Sequence, residues 1–145
     1  MIVPDANLLI YAYDETSPHH APAKRWWVDT LSGEEPVGIP WVVVLAFARL
    51  MTHPTVCGNP LTPQEARRRV EHWFAQGHVR LLSPTPATLG RFFELLEEAG
   101  LGGNLATDAL IAAHAMEHGA VVHTADLDFA RFRALRWTKP LADQG

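Results

Sequence analysis

The sequence predicts an α/β protein with a short, mostly parallel central sheet. Short apolar runs that fit buried strands alternate along the chain with longer segments that fit helices. The helical segments open with serine, threonine, aspartate, asparagine or proline, residues that favour a helix start, and several stop at a glycine. Neither an internal repeat nor a low-complexity segment interrupts this alternation.

The first half of the chain predicts two strands and four helices. The first strand, Ile2–Asp5, ends in an acid, and Asp5 or Asn7 can cap the helix that follows. The segment Trp41–Thr52 is apolar nearly all round, which predicts a buried helix. Its only charge, Arg49, must then pair with an acid or reach a cleft. The other predicted elements are a helix from Ser17 to Gly33, a strand at 37–39 and a helix from Thr62 to about Gln76.

The second half predicts two helices and three short strands. Asp108 falls in the first turn of a helix that begins at Asn104 or Thr107 and stops at Gly119. The small residues of this helix suit close packing on a sheet. The other predicted elements are a strand at 79–82, a helix from Thr85 to Gly100, a strand at 120–123, a turn or short helix at 126–132 and an edge strand at 135–137.

Length and composition predict one domain that spans residues 1–145. The chain is 48% hydrophobic and 19% charged, which is ordinary for a globular protein. Its one cysteine, Cys57, cannot form an intrachain disulfide, which fits a reducing cytosol, so we expect a cytoplasmic protein. The first residues show neither the basic region nor the long apolar run of a signal peptide, and we expect no membrane span.

The charge balance excludes a protein that holds nucleic acid by overall positive charge. There are 12 lysines and arginines against 16 aspartates and glutamates, which gives a net charge of -4 with histidine neutral. A nuclease stays compatible with this balance, because an acidic metal site lowers the net charge while another face stays basic. The basic residues are in fact uneven, with one run at 67–69 and a second group at 131–139.

Three carboxylates stand where an open parallel sheet places its functional site. Asp5 ends the first strand, Asp126 follows a later strand, and Asp108 lies at a helix start, where the helix dipole favours an anion. If the two strands are neighbours, the acids converge, and two charges about 4 Å apart repel by roughly 4 kcal/mol at an effective dielectric near 20. Oxygen ligands without paired cysteines indicate Mg²⁺ or Mn²⁺ rather than zinc. The same spacing fits two helix caps and a turn acid equally well.

Segments in a fixed order carry a family resemblance. The chain opens with Val3–Ile10, in which a strand leads into Asp-x-Asn; Asn104–Ala115 is an acidic helix start; and Gly119–Phe132 contains Thr-x-Asp-x-Asp-Phe. Together with a close at 135–141, these segments resemble the PIN domain, specifically the VapC-type toxins of bacterial toxin–antitoxin pairs. The resemblance covers nearly the whole chain.

The resemblance implies a three-layer α/β/α fold and a Mg²⁺-dependent endoribonuclease, with Mn²⁺ as an alternative ion. Hydrolysis of RNA phosphodiester bonds would use water that the metal activates. The resemblance implies Asp5, Asp108 and Asp126 as the catalytic and metal-binding acids. It also implies supporting or accessory roles for Asn7, Thr124 and Asp128, and RNA contacts from Arg49, Arg131 and Arg133.

One position departs from the family pattern. Most members carry a glutamate in the helix after the second strand, and the register places Phe47 there, in a helix without any acid. The chain could work with three or four aspartates, with Asp128 filling in, which is the interpretation we favour. It could instead bind metal more weakly, or be a degenerate PIN-like module that binds RNA or a protein without cleaving. An aspartate-dependent phosphatase ranks below these, because Asn7 stands where its second acid would be.

The resemblance also implies partners, namely a cognate antitoxin and a second copy of the chain in a homodimer. We hypothesise that Tyr13, Trp26 and Trp27 are exposed and line a groove for an antitoxin segment. Simple core packing explains one of the two tryptophans equally well. The pair His19 and His20 fits a solvated helix start better than a metal site, because neighbouring helix residues point in different directions.

Overall fold

The computed structural model describes residues 1–100, 102–103 and 105–142, and these form the predicted α/β fold with a parallel sheet. The strands are β1 (Ile2–Pro4), β2 (Val37–Pro40), β3 (Val79–Leu82), β4 (Val121–His123) and β5 (Trp137–Thr138). The helices are α1 (Ala6–Tyr13), α2 (His20–Ser32), α3 (Trp41–Met51), α4 (Pro63–Phe74), α5 (Pro86–Ala99) and α6 (Leu105–Glu117), followed by a 3-10 helix at Leu127–Arg131.

The sheet has the strand order β3-β2-β1-β4-β5, and every strand pair is parallel. The chain adds strands in one direction from β1 to β3 and then returns to place β4 on the other side of β1. Strands β1 and β4 therefore flank the point where the strand order reverses. In open α/β sheets that point, outside the carboxyl ends of the strands, is where ligands bind. Helices pack against this sheet in the three-layer α/β/α arrangement.

Local sequence signals place most of the helix ends. Helix α4 begins with a capping box, in which the Thr62 hydroxyl accepts from the Glu65 amide and the Glu65 carboxylate accepts from the Thr62 amide. Helix α5 begins with the same device at Thr85, and Gly100 ends it with φ +73°. The predicted Asn104 cap of α6 lies outside the described residues.

The predicted start of α2 at Ser17 is wrong, because the helix begins at His20. Two local side-chain bonds hold the preceding residues in a turn. The Asp14 carboxylate accepts from the amide of Thr16 at 3.0 Å, and the Ser17 hydroxyl accepts from the amide of His19 at 3.1 Å. Such bonds offer the backbone an alternative to helical hydrogen bonding.

The prediction that α3 is buried all round is also wrong. Phe47 and Val43 are fully buried, but Trp41 is 54% exposed and Leu45 is 64% exposed on the opposite face. Arg49 lies on that exposed face as well, so its guanidinium reaches solvent without needing a buried partner. None of the helices in the described part of the chain is long and apolar enough to cross a membrane.

Candidate metal centre

The carboxyl ends of β1 and β4 bring the predicted acids to one edge of the sheet. Pro4 pairs with His123 in the parallel ladder, and the amide of Asp5 donates to the carbonyl of His123 at 2.8 Å. Asp5 therefore lies just beyond the end of β1, next to the end of β4, which is followed by Thr124 and Asp126. The predicted site requires that the strands leading to Asp5 and Asp126 be neighbours, and β1 and β4 are paired in the sheet.

A chain of hydrogen bonds orders this edge. The Thr124 hydroxyl donates to Asp5 Oδ2 at 2.9 Å, and Thr124 Oγ1 accepts from the amide of Asp126 at 2.9 Å. The amide of Asp128 in turn donates to Asp126 Oδ1 at 2.9 Å. Asp126 thus caps the 3-10 helix through one carboxylate oxygen, whereas Asp5 stands at the N-cap of α1 without any side-chain cap bond. The Asp5 carboxylate is instead tied to the neighbouring strand by the Thr124 hydroxyl.

Three carboxylates meet beside Asp5. Asp108 comes from the first turn of α6, and Asp126 and Asp128 come from the segment after β4. One carboxylate oxygen of each lies within 4.8 Å of the others. The structure thereby puts Asp128, the accessory acid of the sequence prediction, directly in the cluster, and places Asp5 as the buried acid next to it.

Burial and nearby charges raise the pKa values of two of these acids, Asp5 and Asp108. The pKa of Asp5 is raised, chiefly by burial, although the Thr124 hydroxyl and the backbone amides of Ala6 and Asn7 act in the opposite direction. The pKa of Asp108 is raised to about 7, first by burial and then by the charges of Asp5, Asp126 and Asp128. Acids with raised pKa values of this kind are concentrated at functional sites.

The donor set fits a hard divalent cation. The ion pairs found among the described residues, Met1–Glu35, Arg67–Glu71 and Arg91–Glu94, all involve other carboxylates. The converging ligand atoms are carboxylate oxygens, the type that Mg²⁺ and Mn²⁺ prefer, and the cluster offers no sulfur ligand. A cation at this place would remove the repulsion that raises the pKa of Asp108.

Comparison with known proteins identifies the family. The family model described as "PIN domain" matches residues 2–135. The chain belongs to the PIN domain family. Ribonuclease VapC33 of Mycobacterium tuberculosis is 38% identical over 143 residues, covering 99% of this chain and 100% of that protein. Ribonuclease VapC37 of the same organism is 41% identical over 142 residues, covering 98% of this chain and 99% of that protein.

Solved structures share the fold of this PIN domain. Mycobacterium tuberculosis VapC20, described as a toxin that cleaves the sarcin–ricin loop, superposes with a TM-score of 0.70 at 18% identity, over 90% of this chain and 93% of that one. A chain of VapBC-1 from nontypeable Haemophilus influenzae gives a TM-score of 0.66 at 22% identity, over 97% and 98%. These likenesses confirm the three-layer α/β/α arrangement.

Phe47 is a core residue in this PIN domain. Its side chain is fully buried, and its ring centroid lies 4.7 Å from that of Trp73 and 5.4 Å from that of Tyr13. An acid at this position would lie among aromatic rings. The acidic cluster is therefore built from aspartates alone within the described residues, with Asp128 as its third member.

The remaining predicted residues lie on the surface around this PIN fold. Asn7 is exposed in the first turn of α1. Arg131 and Arg133 are exposed at and just beyond the end of the 3-10 helix that carries Asp128, and the amide of Arg133 donates to Glu98 Oε1 at 3.2 Å. Arg49 faces away from Phe47 on α3. The structure thus brings the acids together, with Arg131 and Arg133 on the segment that follows Asp128 and Arg49 on α3.

The prediction that both tryptophans are exposed is wrong for Trp27, which is 2% exposed. Its indole N–H and that of Trp73 both donate to the hydroxyl of Tyr13, at 3.2 and 2.7 Å. Trp26 is half-buried and points elsewhere, to His123. Tyr13 and Trp27 nevertheless form the floor of a groove of about 630 Å³ between α2 and α4. Its rim carries the charged residues Glu15, Lys24, Glu65, Arg68 and Arg69.

Proposed function

We propose that this chain, as one PIN-like domain over residues 1–145, is a metal-dependent endoribonuclease that acts as the toxin of a toxin–antitoxin pair. The observation that carries the proposal is the convergence of Asp108, Asp126 and Asp128 beside buried Asp5 at the point where the strand order reverses. Full-length identity of 38–41% to proteins named as VapC ribonucleases supports the reaction and its RNA substrate.

We infer that the cation is Mg²⁺, for which Mn²⁺ can substitute. Asp108, Asp126 and Asp128 would hold it, with Asp5 beside them as the fourth acid. When bound, the ion activates water for attack on the phosphodiester and offsets the charge that develops on the phosphoryl oxygens. Thr124 orients Asp5 through its hydroxyl, and the Asp126 amide fixes Thr124. Helix α6 points its positive end at the cluster through its first turn.

RNA contacts are proposed for three exposed arginines. Arg131 and Arg133 directly follow the segment that carries Asp126 and Asp128. They would therefore contact RNA phosphates next to the phosphate bound at the acidic cluster. A guanidinium can hold a phosphate with two parallel hydrogen bonds. Arg49, on the exposed face of α3, would contact a more distant part of the RNA strand.

The proposal also includes action in the cytoplasm. Cys57 is a free, buried thiol, which fits a reducing compartment.

The groove between α2 and α4 is the proposed site of a cognate antitoxin. Tyr13 and Trp27 give it an aromatic floor, which suits an apolar anchor residue of the partner. Lys24, Arg68 and Arg69 outnumber Glu15 and Glu65 at its rim, so the complementary segment carries acids beside that anchor.

A second copy of the chain is the proposed partner of the exposed apolar face of α3. Trp41 and Leu45 protrude there, and an apolar cleft of about 320 Å³ lies between α3 and α4. An exposed apolar surface of this kind usually marks an interaction site. The cleft is lined by Val44 and Ala48 of α3, by Thr52 just after it, and by Pro63, Ala66, Arg67, Val70 and Glu71 of α4.

Titration of the metal-free protein with Mn²⁺ distinguishes the enzyme from a silent binding module. The proposal predicts that the wild type binds Mn²⁺ and that Asp126→Ala weakens the binding by at least about tenfold, since a carboxylate ligand is lost. Asp29→Asn removes a carboxylate from the exposed side of α2 and is expected to leave the affinity unchanged. A wild type that binds no Mn²⁺ would favour the degenerate module.

A further inference from the structure

One side-chain hydrogen bond joins helix α2 to the strand that carries the acidic site. Trp26 Nε1–H donates to Nδ1 of His123 over 3.2 Å, and the two rings lie 5.9 Å apart at 30°. An indole N–H can only donate, so Nδ1 of His123 is the unprotonated acceptor and the proton of the neutral ring sits on Nε2. The bond therefore selects one tautomer and one orientation of His123.

His123 contacts Asp5 through its own backbone and through its neighbour. Its carbonyl accepts the Asp5 amide at 2.8 Å, and the next residue, Thr124, donates to Asp5 Oδ2 at 2.9 Å. Successive side chains of an extended strand point to opposite faces. The Thr124 side chain therefore contacts Asp5 on one face of the sheet, and the His123 side chain contacts Trp26 on the other face.

The sheet holds this strand end through short strands only. β4 has three residues and its outer neighbour β5 has two. At the strand end the Asp5 amide donates to the His123 carbonyl at 2.8 Å and the Thr124 amide donates to the Thr138 carbonyl at 3.0 Å, so the ladder that resists local opening is short on both sides. Trp26, in contrast, is well anchored. Its ring lies 5.4 Å from that of buried Trp27, and its carbonyl accepts from the Thr30 hydroxyl at 2.7 Å.

We propose that Trp26 and His123 are positioning residues for the reaction, and that the hydrogen bond between them keeps the end of β4 where it orients Asp5. This inference rests on the proposed metal-dependent function. Neither side chain needs to touch the substrate. Loss of the bond should therefore weaken metal binding and turnover, while KM for RNA stays nearly constant.

A double-mutant cycle tests the bond. Trp26→Phe keeps an aromatic ring but removes the donor, and His123→Leu removes the acceptor. Each is expected to lower kcat and Mn²⁺ affinity about fivefold, and the double variant should be no worse than the weaker single variant, because both remove the same interaction. His123→Asn keeps an acceptor near the position of Nδ1 and should recover most of the loss.

Trp73→Phe is the matched control. It also removes an indole N–H that donates to a side chain, here the Tyr13 hydroxyl, but it lies in the core and has no bond to β4. We expect it to lower the free energy of unfolding while kcat and Mn²⁺ affinity stay within about twofold of the wild type, because Trp73 is linked to Trp26 only through the ring of Trp27 and leaves the bond to His123 in place.

Amide hydrogen exchange gives a readout that does not depend on the proposed function. The Asp5 amide should exchange faster in Trp26→Phe than in Trp73→Phe, because only the first loosens its acceptor at His123. Unchanged exchange at Asp5, or losses that multiply in the double variant, would overturn the inference. Failure of the proposed function is a separate result, in which the wild type itself neither binds Mn²⁺ nor cleaves RNA.

Discussion

Asp108 is the residue whose protonation most directly controls the proposed metal centre. Its pKa of about 7 arises from burial and from the neighbouring charges of Asp5, Asp126 and Asp128. A cation binds only the ionised form, so metal binding must displace the proton. Below pH 7, Mn²⁺ affinity should fall about tenfold per pH unit for one displaced proton. Calorimetric titrations between pH 5.5 and 8 measure this slope, and Asp108→Asn should flatten it.

The same shift predicts how the metal-free protein responds to pH. Because the folded pKa of Asp108 lies above its unfolded value, the stability linked to this group is fully present below the unfolded pKa and is lost as pH rises through about 7. Denaturant unfolding without metal should show this loss between pH 4 and pH 7, because the pKa of Asp108 is raised from 3.8 to about 7. A pH-independent Mn²⁺ affinity, together with equal stability at both pH values, would contradict the raised pKa.

Phe47 shows why the glutamate of the family pattern cannot simply be restored at this position. Its ring packs between Trp73 and Tyr13 with no exposed surface. Phe47→Glu would bury a carboxylate among aromatic rings and should lower the free energy of unfolding by about 3–5 kcal/mol. Phe47→Leu, which keeps the site apolar, should cost about 1–2 kcal/mol.

Urea unfolding of both Phe47 variants makes the comparison. A glutamate variant that is as stable as the leucine variant and binds Mn²⁺ more tightly would show that this position faces the metal centre after all.

At the scale of elements, the sequence predicted helix starts that depend on adjacent residues, but it did not predict features that depend on tertiary contacts. The starts of α4 and α5 were predicted because their Thr-Pro signals act within one turn of chain. The start of α2 was missed because the side chains of Asp14 and Ser17 accept hydrogen bonds from the amides of Thr16 and His19. The helix therefore begins only after these residues. The exposed face of α3 was missed because an apolar composition does not tell which side of a helix faces the core.

The acidic site divides in the same way. Asp5, Asp108 and Asp126 could be singled out from strand ends and a helix start. The place of Asp128 within the cluster depends on the 3-10 turn that the Asp126 carboxylate caps, a detail that residue spacing does not contain. The choice between Trp26 and Trp27 for the core likewise depends on where Tyr13 and His123 lie.

Helix α4 offers a test of a single element. Thr62→Ala removes the hydroxyl that accepts from the Glu65 amide, and should lower the free energy of unfolding by about 1 kcal/mol. Thr55→Ala is the control. Thr55 lies in the exposed loop before α4, and its hydroxyl caps no helix and contacts only the exposed ring of His53, at 3.0 Å. Equal stability of the two variants would mean that the capping box contributes nothing measurable.

For the whole molecule, a single charged substitution tests the proposed dimer face on α3. Leu45 protrudes from α3 with 64% exposure, and Leu89 protrudes from α5 with 58%. Leu45→Glu should convert a dimer to a monomer, because a charge at an apolar interface is left unpaired. Leu89→Glu should leave the assembly unchanged. Light scattering with size-exclusion chromatography gives both masses, and a wild type that is monomeric at micromolar concentration would reject the dimer.

The fold concentrates the proposed chemistry at one point. Two three-residue strands, β1 and β4, deliver Asp5 and the segment after His123 to the reversal of strand order, and α6 adds Asp108. The proposed antitoxin groove lies between α2 and α4, and the proposed dimer face lies on α3 beside α4. Changes on those surfaces should therefore alter assembly without removing the acids.

The rate of RNA cleavage in the presence and absence of Mg²⁺ tests the central claim most directly. The wild type should cleave RNA with Mg²⁺ and lose that activity on chelation, and Asp5→Asn or Asp108→Asn should lower the rate by at least about a hundredfold, as expected when a group acts in the transition state. Asp29→Asn should cleave at the wild-type rate. Cleavage that persists in both Asp5→Asn and Asp108→Asn would contradict the assignment of the acidic site.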